Sequence, residues 1–223
     1  VVELMFTSPE PVHGFVLDAS AIVEVDLAAC EVLSDLHGEL RGRGIRLVIA
    51  KIKQGWLGEW TALLNSDEVP INTYRVIGEL ERNIDKENSI VTHDAGAPRD
   101  TIMPFFTATI PHSYIGWGKT THLGYGIPLM IGAKLARPEK FCVNLMGDGA
   151  FGMSGLDIET AGRIGAPITT VLLNNGDMAT YPGGYPVARE KFAVTHMTGD
   201  YAKIAEGLGA VGIVVKQPAE IAP

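Results

Sequence analysis

MGDGAFGMSGLDIETAGRIGAPITTVLLNNGDMATYP, Met146 to Pro182, contains two apolar runs that each end in a polar turn. FCVNLM runs into Gly147-Asp148-Gly149, and PITTVLL runs into Asn174-Asn175. Between them MSGLDIETAGRI, 153–164, reads as a helix. A strand, a helix and a second strand imply a parallel pair, because parallel neighbours need a crossover, and the crossover is right-handed. This unit decides the fold, and the flanking sequence repeats it.

Downstream, TGDYAKIAEGLG reads as a helix and AVGIVVK as a strand. Upstream, LGYGIPLMIGAKLARPEK starts with glycines and becomes an apolar helix stopped at Pro138, and SIVTHDAG is a strand ending in a polar turn. INTYRVIGELERNIDKENS is a helix with Val76, Ile77 and Leu80 on one face, started by Asn72 or Pro70. From about residue 70 the order is α, β, α, β, α, β, α, β. The expected fold class is α/β, a doubly wound parallel sheet with helices on both faces. KQGWLGEWTALLNSDEVP differs in texture and is expected to be a surface linker, 54–69. Before it, GFVLD, a helix over 28–44 and IRLVIAKI form a smaller β-α-β segment within 1–53, with VVELMF as a further strand. The domain expectation is therefore 1–53, a linker 54–69, and 70–223.

Composition narrows the function classes. The chain has 223 residues, 46% of them hydrophobic, enough for a core and against disorder. The net charge is -8 with no basic run, which argues against nucleic acid as a partner. No apolar run approaches the ~20 residues that cross a bilayer, and no signal peptide is present. Cys30 and Cys142 lack metal-like spacing and read as reduced core residues of a cytoplasmic protein. Both ends read as interrupted elements, so the expectation is a piece of a longer protein, a fusion or a chimera.

The chemistry follows from where the polar turns fall. In open parallel sheets ligands bind outside the carboxyl ends of the strands. Adjacent strand ends can bring Asp148 and Asn175 together although they are distant in sequence. Carboxylate and amide oxygens are hard ligands that suit Mg²⁺ or Ca²⁺ rather than zinc. Gly149 allows close backbone approach, and a helix beginning nearby favours phosphate at its N-terminus. Each turn alone would be an ordinary strand exit. Together they point to a cation holding a diphosphate.

With those residues in view, GDGAF…DIETAGRIGAPITTVLLNN resembles the diphosphate-binding signature of thiamine-diphosphate-dependent enzymes. KQGWLGEWTALLNSDEVPINTYRVIGEL, VTHDAGAPRD and SYIGWGKTTHLGYGIPLMIGAKLA look like the acetolactate-synthase-like branch, a likeness running from about residue 54 to the end. The resemblance implies thiamine diphosphate and Mg²⁺ as cofactors. Asp148, the Asn175 side chain and the Asp177 backbone carbonyl would ligate Mg²⁺. Gly147 lies in the motif, Gly149 and Ala150 would offer N–H groups to the phosphates, and the Asp94-Ala95-Gly96 turn would cradle the other side. Leu123 would wedge the cofactor into its bent form, and the Thr121 carbonyl would meet its amino group. From the residues alone, Leu123 reads as a core residue at a helix start.

The resemblance also implies decarboxylation or carboligation of a small 2-oxo acid in a homo-oligomer. No side chain of this chain is assigned as catalytic. His93, His112 and His122 flank the site and read as loop residues or proton shuttles. Asp157-Ile158 stands where the family often has Glu-Leu, and Asp177 and Tyr181 lie where subfamilies differ. The family's activating glutamate comes from a separate pyrimidine-binding domain, and nothing in 1–53 resembles it, so the chain is expected to bind cofactor but not to turn over alone. FVLDASAIVEVDLAACEVLSDLHGELRGRGIRLVIAKI instead resembles part of a STAS domain, a regulatory module. A STAS-type interaction module is the alternative reading.

Overall fold

The computed structural model describes residues 12–18, 27–50, 52–116, 122–178 and 184–221. These fall into two units, Val1–Ala62 and Leu63–Pro223. In the first, β1 (Gly14–Asp18) and β2 (Arg46–Ala50) pair in parallel from Gly14↔Arg46 to Asp18↔Ala50. The connecting helix α1 (Leu27–Gly42) packs on β2, and its Leu40 is buried. This is the expected β-α-β segment. The stretch read as the strand VVELMF lies outside the described residues.

The expected linker differs. Helix α2 (Ile52–Leu64) occupies most of it, and the boundary between the units falls inside this helix. Its different texture suggested a surface linker, but no proline interrupts the run before Pro70 and Ala62, Leu63 and Leu64 favour helix. After it, α3 (Thr73–Asn83) starts as expected at Asn72, whose side chain accepts a hydrogen bond from the Tyr74 amide at 3.0 Å. Arg75 anchors this helix to the preceding turn by pairing with Asp67 and donating to the Ser66 carbonyl, and it pairs with Glu79 one turn along the same helix.

The second unit is built on a four-stranded parallel sheet in the order β4-β3-β5-β6: Tyr114–Ile115, Ser89–His93, Phe141–Gly147 and Thr169–Leu173. Both faces are covered, so the doubly wound α/β expectation holds. On one face α5 (Gly126–Ala136) buries Ile127, Met130 and Ile131 over Ile90, Cys142 and Met146. Each such side chain is worth about 1.5–3 kcal/mol when fully buried. The alternate residues Val91, Val143 and Leu145 are equally buried, as a sheet covered on both faces requires. Here α4 (Ala97–Ile102) lies against β3 and β5, and α3 packs on α4. The close approach of α5 to β5 depends on Gly126, where an added Cβ would lie 2.2 Å from Asn144 Oδ1.

Two further elements depart from expectation. The helix foreseen over 153–164 is shortened to α7 (Asp157–Arg163), and a separate helix, α6 (Asp148–Ser154), precedes it. The break falls at Gly155, a poor helix former, against which the Phe151 ring packs so closely that an added Cβ would sit 2.6 Å away. Residues 211–216, read as a strand, join no ladder among the described residues, and Val211, Ile213 and Val214 are exposed. An apolar run becomes a strand only when an edge accepts it. Instead the backbone at Gly212 lies against Ala202 in α9 (Tyr201–Gly207), where an added Cβ would meet the Ala202 carbonyl at 2.4 Å.

Candidate functional site

The carboxyl ends of β3, β5 and β6 lie side by side, and each leaves the sheet through one of the turns singled out above. At the end of β5, Asp148 opens α6 and is almost completely buried. Its Oδ1 accepts from its neighbour's amide, Gly149, at 2.9 Å. Its Oδ2 accepts from Gly176 N at 2.8 Å, across 28 residues of sequence. The turn after Asn174-Asn175 is therefore tied directly to Asp148. Asn175 Oδ1 accepts from Asp177 N at 3.1 Å, which folds that turn on itself.

α6 therefore begins at Asp148 rather than at 153. Gly149 and Ala150 lie in its first turn, where backbone N–H groups have no acceptor four residues back within the helix. The site is closed above Gly149 by Met178, whose Cγ would lie 2.7 Å from an added Cβ. This contact was not foreseen. Only the position of Met178 just beyond Asn-Asn-Gly-Asp could have hinted at it.

At the end of β3, Asp94 is fully buried. Its carboxylate accepts three amide hydrogen bonds, from Ala95 at 2.8 Å, Gly124 at 2.9 Å and Gly126 at 2.9 Å. Both oxygens are thus engaged with the chain's own backbone, and Asp94 fixes the loop into α5. Gly96 follows at a φ of 81° as the cap of α4. Leu123 is half-buried and packs against the cluster of Ile127, Met146, Ala150 and Phe151. Thr121 and Tyr181 lie outside the described residues.

The three histidines separate. His93 is a buried β3 residue whose Nδ1 lies 3.1 Å from the Asp94 carbonyl and 3.3 Å from the Tyr125 hydroxyl. Burial pushes its imidazole below the ordinary value, so it stays neutral. His112 and His122 are exposed, and the His122 ring meets Tyr125 edge to face. Tyr201 on α9 packs edge-on against Phe151, and burial followed by the Asp148 charge raises its hydroxyl pKa. Its place in the site had no signal in the sequence.

Fold and geometry together define a ligand-binding α/β domain with its site outside the carboxyl ends of the strands. Residues 94–223 match the family described as thiamine pyrophosphate enzyme, C-terminal TPP binding domain. That match covers more than half of the chain, and the chain belongs to this family. The mitochondrial catalytic subunit of acetolactate synthase from Saccharomyces cerevisiae is 29% identical over 73% of this chain and 26% of its own length. A probable acetolactate synthase of Mycobacterium bovis is 31% identical over 76% of this chain and 33% of its own. A probable large subunit from Methanocaldococcus jannaschii is 25% identical over 92% of this chain and 38% of its own. The chain thus spans a quarter to two-fifths of these relatives. In structure it resembles a thiamine diphosphate-dependent 4-hydroxybenzoylformate decarboxylase of Rhodococcus jostii RHA1, with a TM-score of 0.57, 21% identity and coverage of 66% of this chain and 28% of that one. The expected resemblance to acetolactate-synthase-like enzymes of this family stands. Among the described residues no helix is long and apolar enough to cross a membrane.

Proposed function

We propose that this thiamine-diphosphate-binding domain holds its cofactor through Mg²⁺ at the β5 and β6 ends and serves a 2-oxo acid decarboxylase or carboligase. The observation that carries the reading is the 2.8 Å hydrogen bond from Gly176 N to Asp148 Oδ2, which joins the two turns. The donor set fits the metal: one carboxylate from Asp148, one amide oxygen from Asn175 and one backbone carbonyl from Asp177 are hard oxygens. Gly149 fits too, since a side chain there would already meet Met178.

In this reading Asp148, Asn175 and the Asp177 carbonyl hold the cation, and Gly147, Gly149 and Ala150 present backbone to the phosphates. The Asp94-Ala95-Gly96 turn acts through its backbone, because the Asp94 carboxylate is already engaged. Leu123 would pack against the cofactor rings and the Thr121 carbonyl would meet its amino group. When bound, thiamine diphosphate supplies the electron sink for breaking or making a bond at the carbonyl carbon of a 2-oxo acid. The activating glutamate comes from a pyrimidine-binding domain elsewhere in the assembly, which is homo-oligomeric. The M. jannaschii alignment covers 92% of the chain, so it takes in most of 1–53 as well. That reach supports reading the N-terminal segment as synthase sequence rather than as a STAS module.

The test is equilibrium binding of thiamine diphosphate to this chain with Mg²⁺ and with EDTA, beside Asp148→Asn and Asp148→Ala. Binding that needs Mg²⁺ and is lost in both variants supports the reading. Binding indifferent to EDTA, or retained in both variants, refutes it.

A further inference from the structure

Beyond the Asn-Asn turn the chain doubles back and is clamped. Residues 176–178 run antiparallel to 195–197: Met178 N donates to the Thr195 carbonyl at 2.8 Å, and Met197 N donates to the Gly176 carbonyl at 2.9 Å. Asp177 and His196 face each other as a bridge. Across this short ladder reaches Arg189, from α8 (Pro186–Phe192). Its Nη2 donates to Asp177 Oδ2 at 2.6 Å, and its Nε donates to Thr195 Oγ1 at 2.9 Å. One guanidinium therefore grips one residue on each side of the ladder.

We propose that Arg189 is a positioning residue for the cation: by holding the Asp177 carboxylate it fixes the turn whose Asn175 oxygen and Asp177 carbonyl face the metal. The inference rests on the Mg²⁺ reading above. Besides the ladder bonds, two contacts hold the turn, Gly176 to Asp148 on the inside and Asp177 to Arg189 on the outside. Losing the outer tether releases the Asp177 carboxylate from Arg189, and the shift reaches the Asn175 side chain because its oxygen accepts from the Asp177 amide. Asp177 and Arg189 are both more than a third exposed, so the pair contributes little to global stability. Its work is geometric. A planar fork can hold two acceptors at once in fixed directions, whereas a lysine ammonium is a single point charge.

The experiment titrates Mg²⁺ into the full chain at saturating thiamine diphosphate, for wild type, Arg189→Ala, Arg189→Lys, Asp177→Ala and the Arg189→Ala/Asp177→Ala pair. Asp177→Ala keeps the backbone carbonyl. Removing the support of a ligand typically weakens a metal by about tenfold or more, and a change of that size is expected for Arg189→Ala. Arg189→Lys recovers part of it. The double variant matches the weaker single variant, because both remove one tether, and ligand-free thermal midpoints stay at the wild-type value. Unchanged Mg²⁺ affinity in Arg189→Ala overturns the inference while leaving the cofactor reading intact. So do multiplying effects in the double variant, or ligand-free midpoints that fall in step with affinity. Wild-type protein that takes up no Mg²⁺ with thiamine diphosphate overturns both.

Discussion

Replacing Asp94 with alanine tests the internal logic of the site without touching a proposed metal ligand. The carboxylate accepts from Ala95, Gly124 and Gly126, all at 2.8–2.9 Å and all buried. Truncation leaves three amides without their acceptor. An unsatisfied buried donor costs about 1–3 kcal/mol, so a simple sum is about 3–9 kcal/mol. The three share one loop that can relax together, which places the expectation at about 3–5 kcal/mol. That is a large part of the 5–15 kcal/mol typical of a whole domain. Asp94→Asn should lose about half as much: one amide oxygen still accepts, but the new NH₂ group faces an N–H and the charge is gone. Urea unfolding followed by far-UV circular dichroism measures both, with the slope checked for constancy. An alanine variant within about 1 kcal/mol of wild type would refute the argument, as would an asparagine variant as unstable as alanine.

Gly126→Ala should destabilise by about 1–3 kcal/mol because its Cβ must displace the buried Asn144 side chain, and adding Asn144→Ala should recover part of the loss in thermal denaturation. Gly149→Ala should weaken thiamine diphosphate binding, and Met178→Ala in the same chain should restore some of it by making room, as read by isothermal titration. His93 carries a pH signature. Burial lowers its folded pKa below the ordinary 6.5, so the unfolded chain takes up a proton that the folded chain refuses. Its contribution to stability is complete above the unfolded pKa and falls as the pH drops toward the folded one. His93→Gln should therefore flatten the loss of urea midpoint between about pH 7 and pH 5.

What could be read in advance was whatever local pattern decides. The runs 141–147 and 169–173 are apolar, end in unmistakable polar turns, and formed the strands that position Asp148 and Asn175. Asn72 capped its helix for the reason asparagine usually does. What escaped were features that only tertiary contact creates. The break at Gly155 reflects the Phe151 ring lying over it, and residues 211–216 have a strand's composition but no ladder. Arg189 drew no reading from the sequence, because its meaning lies in Asp177 and Thr195 at the far side of a turn. Asp94 was visible as part of the site, but its occupation by three amides was not, since Gly124 and Gly126 lie thirty residues or more away.

Asp94 and Asp148 look interchangeable in sequence: each is a lone carboxylate after a buried strand, and each is almost wholly buried. Their hydrogen bonds separate them. Two carboxylate oxygens offer about four lone-pair positions. Among the described residues Asp94 accepts three amides, two on one oxygen, and all from loops that it must hold together. Asp148 accepts two, one on each oxygen, leaving a position on either oxygen for a cation. The two amides it accepts also orient it: one comes from the helix start expected to meet phosphate, the other from the turn expected to supply the remaining ligands. A metal at Asp148 therefore needs no hydrogen bond broken and has a position on either oxygen, whereas Asp94 keeps a single open position, on Oδ2. On the proposed reading that difference suits Asp148 to the ligand's role and Asp94 to the frame's, and it predicts that removing Mg²⁺ leaves the loop at 122–126 in place while removing the Asp94 carboxylate does not. Hydrogen exchange at the Gly124 and Gly126 amides would show the contrast: protection unchanged by EDTA and lost in Asp94→Asn. Protection that fell on chelation alone would reverse the two roles.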